Sequence, residues 1–168
     1  MRLLPPALGP SSLCALALWG FCLFAVPEGL AQSGAQSGAQ TGSQTQGRGP
    51  AVIDSATLEF AGKPVRLLGL HGLAPSETCT AGALTWPCGR EARWAAQNRV
   101  GRHWVVCVEQ ARAAGHTALA VCYLGGVGGP ELNAWLVEQG WARAAPAEGV
   151  DYRPLEDAAR SAGRGLWR

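Results

Sequence analysis

The first folded stretch of the chain is marked by two apolar runs on either side of a polar turn. The runs Val52–Phe60 and Val65–Leu73 flank Ala61-Gly62-Lys63-Pro64. Glycine and proline between two such runs are typical of a β-hairpin. We therefore predict strands at Ala51–Ile53, Thr57–Phe60 and Pro64–Leu70, with a tight turn at Asp54–Thr57.

After this hairpin, the pattern of apolar positions predicts helices and further strands. Small apolar positions at helical spacing predict a helix at Gly89–Val100 that ends at Gly101. Two apolar runs within His103–Leu124 predict a second hairpin with a polar turn at Ala113–Thr117. Further helices are predicted from Leu132 up to Gly140 and at about Pro154–Ala162. The expected fold class is α+β, mainly β.

Residues 1–49 have a different character from the rest. Arg2 precedes an apolar run, Leu13–Val26, and small residues end at Ala31, which is typical of a secretory signal cleaved after Ala31. An uncleaved membrane anchor is the alternative, but the run has 14 residues where a span needs about 20. Residues 32–49 are rich in Gln, Ser and Gly, which predicts a disordered linker before a domain at 50–168.

Composition limits the range of functions. About 115 residues remain for folding, which is enough for one domain with one core. The net charge is +2 and stays +2 once the first 31 residues are removed. This charge does not support an electrostatic footprint for nucleic acid. The expected localisation is secreted or periplasmic, with no stable membrane insertion after signal cleavage.

Four cysteines follow the predicted signal: Cys79, Cys88, Cys107 and Cys122. An even number in an exported protein indicates disulfides, and three connectivities are open. Cys107 and Cys122 are symmetric about the turn of the second hairpin, which predicts that they pair across strands and leaves Cys79 to pair with Cys88. The alternative is a zinc site that uses these thiols with His71, His103 or His116, although no CxxC or HxxxH pair is present.

Three segments carry a resemblance to a known family. They are Asp54-Ser55-Ala56-Thr57, the run from Arg66 to Ala74, and Leu132-Asn133-Ala134-Trp135-Leu136-Val137-Glu138-Gln139-Gly140-Trp141-Ala142. The chain from Val52 to Trp167 resembles the staphylococcal-nuclease-like (thermonuclease) domain. The resemblance implies a five-stranded Greek-key barrel of the oligonucleotide/oligosaccharide-binding (OB) type with three helices, in which Asn133 fixes the core. It also implies a calcium-dependent nuclease and admits nucleic acid as a partner.

The same resemblance indicates that most catalytic positions have changed. Ala56 and His71 stand where the family has calcium-binding aspartates, and Ala74 stands where it has the glutamate that activates water. Thr117, or His116 after a one-residue shift, replaces an arginine that stabilises charge on phosphorus. A methyl group cannot ligate calcium, so the calcium ligands are not retained and no metal site is predicted.

Two residues could still support catalysis. Arg66 matches the family's phosphate-binding arginine, and a longer loop could bring Glu77 toward the place of the glutamate. Two hypotheses therefore remain open. One is an exported domain that has lost hydrolysis and acts as a binding or structural module with an unknown partner. The other is a metal-dependent phosphodiesterase with a rebuilt site that uses Arg66 and Glu77.

The tryptophans and arginines of the predicted domain are candidates for a binding surface. Six tryptophans fall in the predicted domain, and an aromatic platform for bases is one use of such residues. Trp135, Trp141 and Trp167 lie in or beside predicted helices, so we expect them to pack into the core. The arginines of the first helix are expected to form a solvated face.

Overall fold

The computed structural model describes residues 42–168, and the predicted signal and the first part of the predicted linker lie outside the described residues. The described chain forms ten strands and three α-helices. They are β1 Gln44–Arg48, β2 Ala51–Asp54, β3 Thr57–Phe60, β4 Lys63–Leu67, β5 Leu70–His71, β6 Cys79–Ala81, β7 Leu84–Trp86, α1 Cys88–Val100, β8 Trp104–Arg112, β9 Ala118–Leu124, α2 Leu132–Glu138, β10 Arg143–Ala144 and α3 Arg153–Ser161.

The main sheet has six strands in the order β1-β8-β9-β4-β3-β2. Its pairs are antiparallel except for β4 with β9, which is parallel. The two edge strands, β1 and β2, follow each other in the chain with only Gly49 and Pro50 between them. One bent strand therefore pairs with β8 through its first half and with β3 through its second half, so that the sheet curls toward a barrel. The predicted α+β, mainly β, OB-like fold with three helices is confirmed.

The predicted boundary of the linker is corrected by β1. We expected disorder through residue 49, but Gln44–Arg48 is a strand in register with β8, from Gln44 opposite Val108 to Arg48 opposite Trp104. The residues of β1 are Gln, Thr, Gly and Arg, so no apolar alternation marks the strand in the sequence. Its order comes from backbone pairing with β8, which local composition does not reveal.

The predicted third strand is interrupted in the structure. Pro64–Leu70 is divided into β4 and β5, and Gly69 between them has a φ of +75°. The Leu68 N–H donates to the carbonyl of Ala120 at 2.9 Å, while β5 leaves the main sheet and pairs with β10. The break directs the segment after Leu70 away from the main sheet.

The core lies between the curled sheet and the helices. Helix α1 buries one stripe formed by Cys88, Ala92, Ala96 and Val100. Helix α2 buries Leu132, Leu136 and Val137 together with Asn133, whose side chain is fully buried. Asn133 Oδ1 accepts the Cys122 N–H at 3.0 Å, and Nδ2 donates to the carbonyls of Leu68 and Ala120. The predicted role of Asn133 in fixing the core agrees with this geometry.

Both predicted disulfides are confirmed. Cys107 and Cys122 are directly opposite in the β8–β9 pair, with Cα atoms 4.0 Å apart. Cys79, in β6, is bonded to Cys88, at the start of α1, across a Cα separation of 5.6 Å. The zinc alternative is therefore wrong, because the four thiols that it required are used in disulfides. His71, His103 and His116 are exposed.

The tryptophans divide into two groups. Trp86 is half-buried, and so are the three tryptophans expected in the core, Trp135, Trp141 and Trp167. Arginines cover part of the remaining surface; the Arg160 guanidinium lies 3.7 Å from the centre of the Trp167 ring. The expectation that these three tryptophans pack into the core is therefore confirmed only in part. Trp94 and Trp104 are exposed, at 68% and 42%.

Within residues 42–168, every helix is too short or too polar to cross a membrane.

Candidate functional site

The turn between β2 and β3 is fixed by two side chains. Asp54 Oδ1 accepts the N–H of Ala56 at 2.7 Å, which is a turn that aspartate commonly makes with its own backbone. Ser55 is buried, and its Oγ accepts the Leu73 N–H at 2.9 Å. The turn is thereby held against the segment that follows β5.

Gly72 brings this segment into close contact with the turn. A Cβ atom at position 72 would lie 2.6 Å from the Cβ of Ala56 and 2.9 Å from Asp54 Oδ1. Separations under 3 Å between such atoms are not tolerated, so a side chain at position 72 would displace the turn. The Gly72 backbone therefore lies directly against Ala56, which is buried.

The residues around this turn do not fit a calcium ion. Calcium takes six to eight oxygen ligands. Ala56 offers a methyl group, His71 offers an imidazole rather than an oxygen ligand, and Oδ1 of Asp54 already accepts a hydrogen bond. Among residues 42–168, no group of three or more His, Cys, Asp or Glu side chains is placed to hold a metal ion.

Arg66 lies on the outer face of β4, opposite Leu119 of β9, and is exposed. It lines a shallow pocket of about 180 Å³ together with small and apolar residues, which include Gly69, Ala145 and Pro146. Glu77 is not part of this lining. The one charged group of the pocket is a guanidinium, which can bind an anion but cannot activate water.

Glu77 lies in the segment between β5 and β6. Its N–H donates to the carbonyl of Ala74 at 2.9 Å, and its carbonyl accepts the Gly89 N–H at the start of α1. Its carboxylate lies 3.8 Å from Nη1 of Arg143, with both side chains partly exposed. Arg143 is the register partner of His71 in the β5–β10 pair. The fold thus places Arg143 beside both Glu77 and His71, and none of these three residues lines the Arg66 pocket.

Arg143 was not singled out from the sequence. It follows the matched Gly140-Trp141-Ala142 segment, and it reaches Glu77 only because β10 pairs with β5 across about 70 residues of chain. No local pattern indicates such a pairing, since both strands are two residues long.

Ala74 and Thr117, the other two replaced positions, do not line the Arg66 pocket either. Ala74 is exposed, and its carbonyl faces Gly89 so closely that a Cβ at position 89 would overlap it. Thr117 follows a short 3-10 turn, Ala114–His116, and lines a polar groove of about 490 Å³ with Lys63 and Arg112. Arg112 is already bound to Glu109, at 2.7 Å. Neither His116 nor Thr117 shares the pocket of Arg66.

Comparison with known protein families supports the fold described above. No curated protein matches the chain. The family model described as "Staphylococcal nuclease homologue" matches residues 64–168, which is more than half of the chain and runs from the second residue of β4 through α3. The chain therefore belongs to the staphylococcal nuclease homologue family.

Proposed function

We propose that this protein is an exported member of the family that has lost nuclease activity and acts as a binding or structural module. The observation that carries the proposal is the turn at Ala56, which is buried with the Gly72 backbone packed against it. Ala56 and His71 stand where the resemblance would require two acidic side chains with a cation between them. Without the cation, the family's means of stabilising charge on phosphate is missing.

The position of Glu77 supports the same conclusion. Its nearest cationic partner is Arg143, and the pocket lined by Arg66 does not include it. A base must lie within hydrogen-bonding reach of the water that it activates, and a displacement of about 1 Å already lowers the rate strongly. The contact with Arg143 is long and partly exposed, so it contributes at most about 1 kcal/mol to stability.

Export is part of the proposal. Two disulfides in a domain of this size are typical of an oxidising compartment. The apolar run at Leu13–Val26 and the small residues ending at Ala31 support secretion with cleavage of a signal. We place the protein in the periplasm or outside the cell.

The test is a nuclease assay. The purified protein is incubated with single-stranded DNA and with calcium, magnesium or zinc in turn, and we expect no cleavage above a no-protein control. Cleavage that disappears in both Arg66→Ala and Glu77→Ala, but persists in Arg102→Ala, would overturn the proposal. Arg102 is a matched control because it is exposed and lines neither pocket discussed above.

The alternative is a phosphodiesterase with a rebuilt site that uses Arg66 and Glu77. One observation favours it, namely that a guanidinium, Arg143, lies beside both an acid, Glu77, and an imidazole, His71. If these residues hydrolyse phosphodiesters, Arg143→Ala must lower the rate as strongly as Glu77→Ala. Equal rates in these variants and the parent would exclude the rebuilt site.

A further inference from the structure

The solvent face of α1 carries a large aromatic side chain among cationic ones. The helix buries Ala92 and Ala96, and its opposite side presents Arg90, Trp94 and Gln97. Trp94 is 68% exposed, which is unusual for the largest apolar side chain. A single exposed apolar residue needs no explanation in itself, so the surroundings of Trp94 decide its significance.

These surroundings form a depression of about 220 Å³. It is lined by Arg90, Arg93, Trp94 and Gln97, which we call the α1 depression. Drug-sized pockets begin at roughly 300 Å³, so the α1 depression suits a single ring. None of the residues near the candidate catalytic site lines it.

Two of its side chains are held in place by the edge strand β2. Arg93 Nε donates to the Val52 carbonyl at 2.8 Å, and Gln97 Oε1 accepts the Val52 N–H at 3.2 Å. These bonds also use the free backbone groups of Val52, so β2 does not offer this position to an added strand. The remaining polar atoms, Nη of Arg93 and Nε2 of Gln97, are donors.

The rim of the depression therefore donates hydrogen bonds and carries positive charge. Within the described residues, neither Arg90 nor Arg93 is in an ion pair, and the acidic residue of α1, Glu91, is bound to Arg168 at 2.6 Å. A matching ligand must be anionic, rich in acceptors, and flat and apolar on the side that covers the indole. An arginine can bind a carboxylate with two parallel N–H groups, one to each oxygen.

We propose that the α1 depression binds a pyranose ring that carries a carboxylate, as in a uronic-acid polysaccharide. The C–H face of the ring would cover Trp94, and the carboxylate would accept hydrogen bonds from Arg90 and Arg93. Single-stranded nucleic acid fits less well, because its binding surfaces stack successive bases on several aromatics along a basic groove. Here one tryptophan lines the depression. The proposal names a partner class for the binding role proposed above, at a surface separate from the catalytic positions.

The experiment is titration calorimetry of the full-length protein with hexagalacturonate, without divalent cations. Its methyl-esterified form is the neutral control. We expect binding of hexagalacturonate, with at least about tenfold weaker binding in Trp94→Ala and clear weakening in Arg90→Gln. Trp104→Ala and Arg102→Gln are matched controls that should bind like the parent. Circular dichroism checks that each variant is folded.

The result is decisive in either direction. Absence of binding, equal binding of the neutral ester, or unchanged binding in Trp94→Ala would overturn the proposal. Tighter binding of oligothymidylate or of an acidic peptide that depends on Trp94 would replace the glycan with that class of partner. Since the titration contains no metal and no phosphodiester, its failure leaves the loss of nuclease activity untouched, and DNA cleavage in the other assay leaves this binding site untouched.

Discussion

Asn133 is the buried polar residue that joins the most distant parts of the fold. Its amide binds the backbone of Leu68, Ala120 and Cys122, so α2, β9 and the β4–β5 break meet at one side chain. Buried polar groups stabilise a fold when all their hydrogen bonds are made, and they cost free energy when a partner is lost.

Replacing Asn133 with alanine should lower the free energy of unfolding by about 3 kcal/mol, because the Cys122 N–H loses its acceptor in a dry environment. Urea unfolding followed by circular dichroism measures this change. Asn98→Ala is the matched control, since Asn98 is exposed on α1 and should change stability by less than about 0.5 kcal/mol. Similar losses in both variants would contradict the role of Asn133.

Among the strands, β1 is the one whose contribution depends most on its partner. It supplies an edge to β8, and its sequence alone has little tendency to form a strand. Without β1, the N–H and C=O groups along β8 would be unpaired on one side. Exposed edges of this kind promote association between molecules.

A fragment of residues 50–168 should consequently be less stable than a fragment of residues 42–168, by at least about 2 kcal/mol from the lost backbone pairing. It should also associate as its concentration rises. Urea unfolding and size-exclusion chromatography of the two fragments measure both effects. Equal unfolding midpoints would show that β1 is dispensable, and that the boundary first predicted at residue 50 is adequate.

For the molecule as a whole, stability at high pH depends on the contact between α3 and the start of α2. Tyr152, just before α3, is buried, and its hydroxyl donates to Glu131 Oε1 at 2.5 Å. Burial, followed by the hydrogen bond to Glu131 and its negative charge, raises the pKa of Tyr152 above the ordinary value of 10.0. The folded state therefore holds this proton more strongly than the unfolded state does.

The sign of the pH dependence follows from linkage. The stabilisation from Tyr152 is complete below the unfolded pKa of about 10 and is lost as the pH rises above it. Unfolding free energies measured between pH 8 and pH 11 should fall steeply for the parent and less steeply for Tyr152→Phe. Tyr123→Phe is the control, because burial and Glu131 also raise the pKa of Tyr123 but its side chain is only half-buried. Parallel curves for the parent and Tyr152→Phe would contradict the expectation.

Much of the architecture could be predicted because apolar residues repeat with the period of their element. Helix α1 and the hairpin of β8 and β9 were located within a few residues, and β8 ends at Arg112, directly before the predicted turn. The disulfides followed from the same hairpin, since symmetric positions face each other across an antiparallel pair. Two predictions failed: the residues of β1 were expected to be disordered, and β4 was expected to continue to Leu70. At both places, contacts with residues distant in sequence outweigh the local conformational preference of the chain.

The sequence by itself determined the family frame and the two disulfides. Those properties depend on residue type and on spacing along the chain. Only the tertiary structure decided that Gly72 packs directly against Ala56, that Arg143 lies beside Glu77, and that Arg93 and Gln97 are fixed by Val52 next to an exposed Trp94. Each of these contacts joins segments that are distant in sequence or depends on sub-ångström packing, and such contacts leave no periodic signal in a single chain.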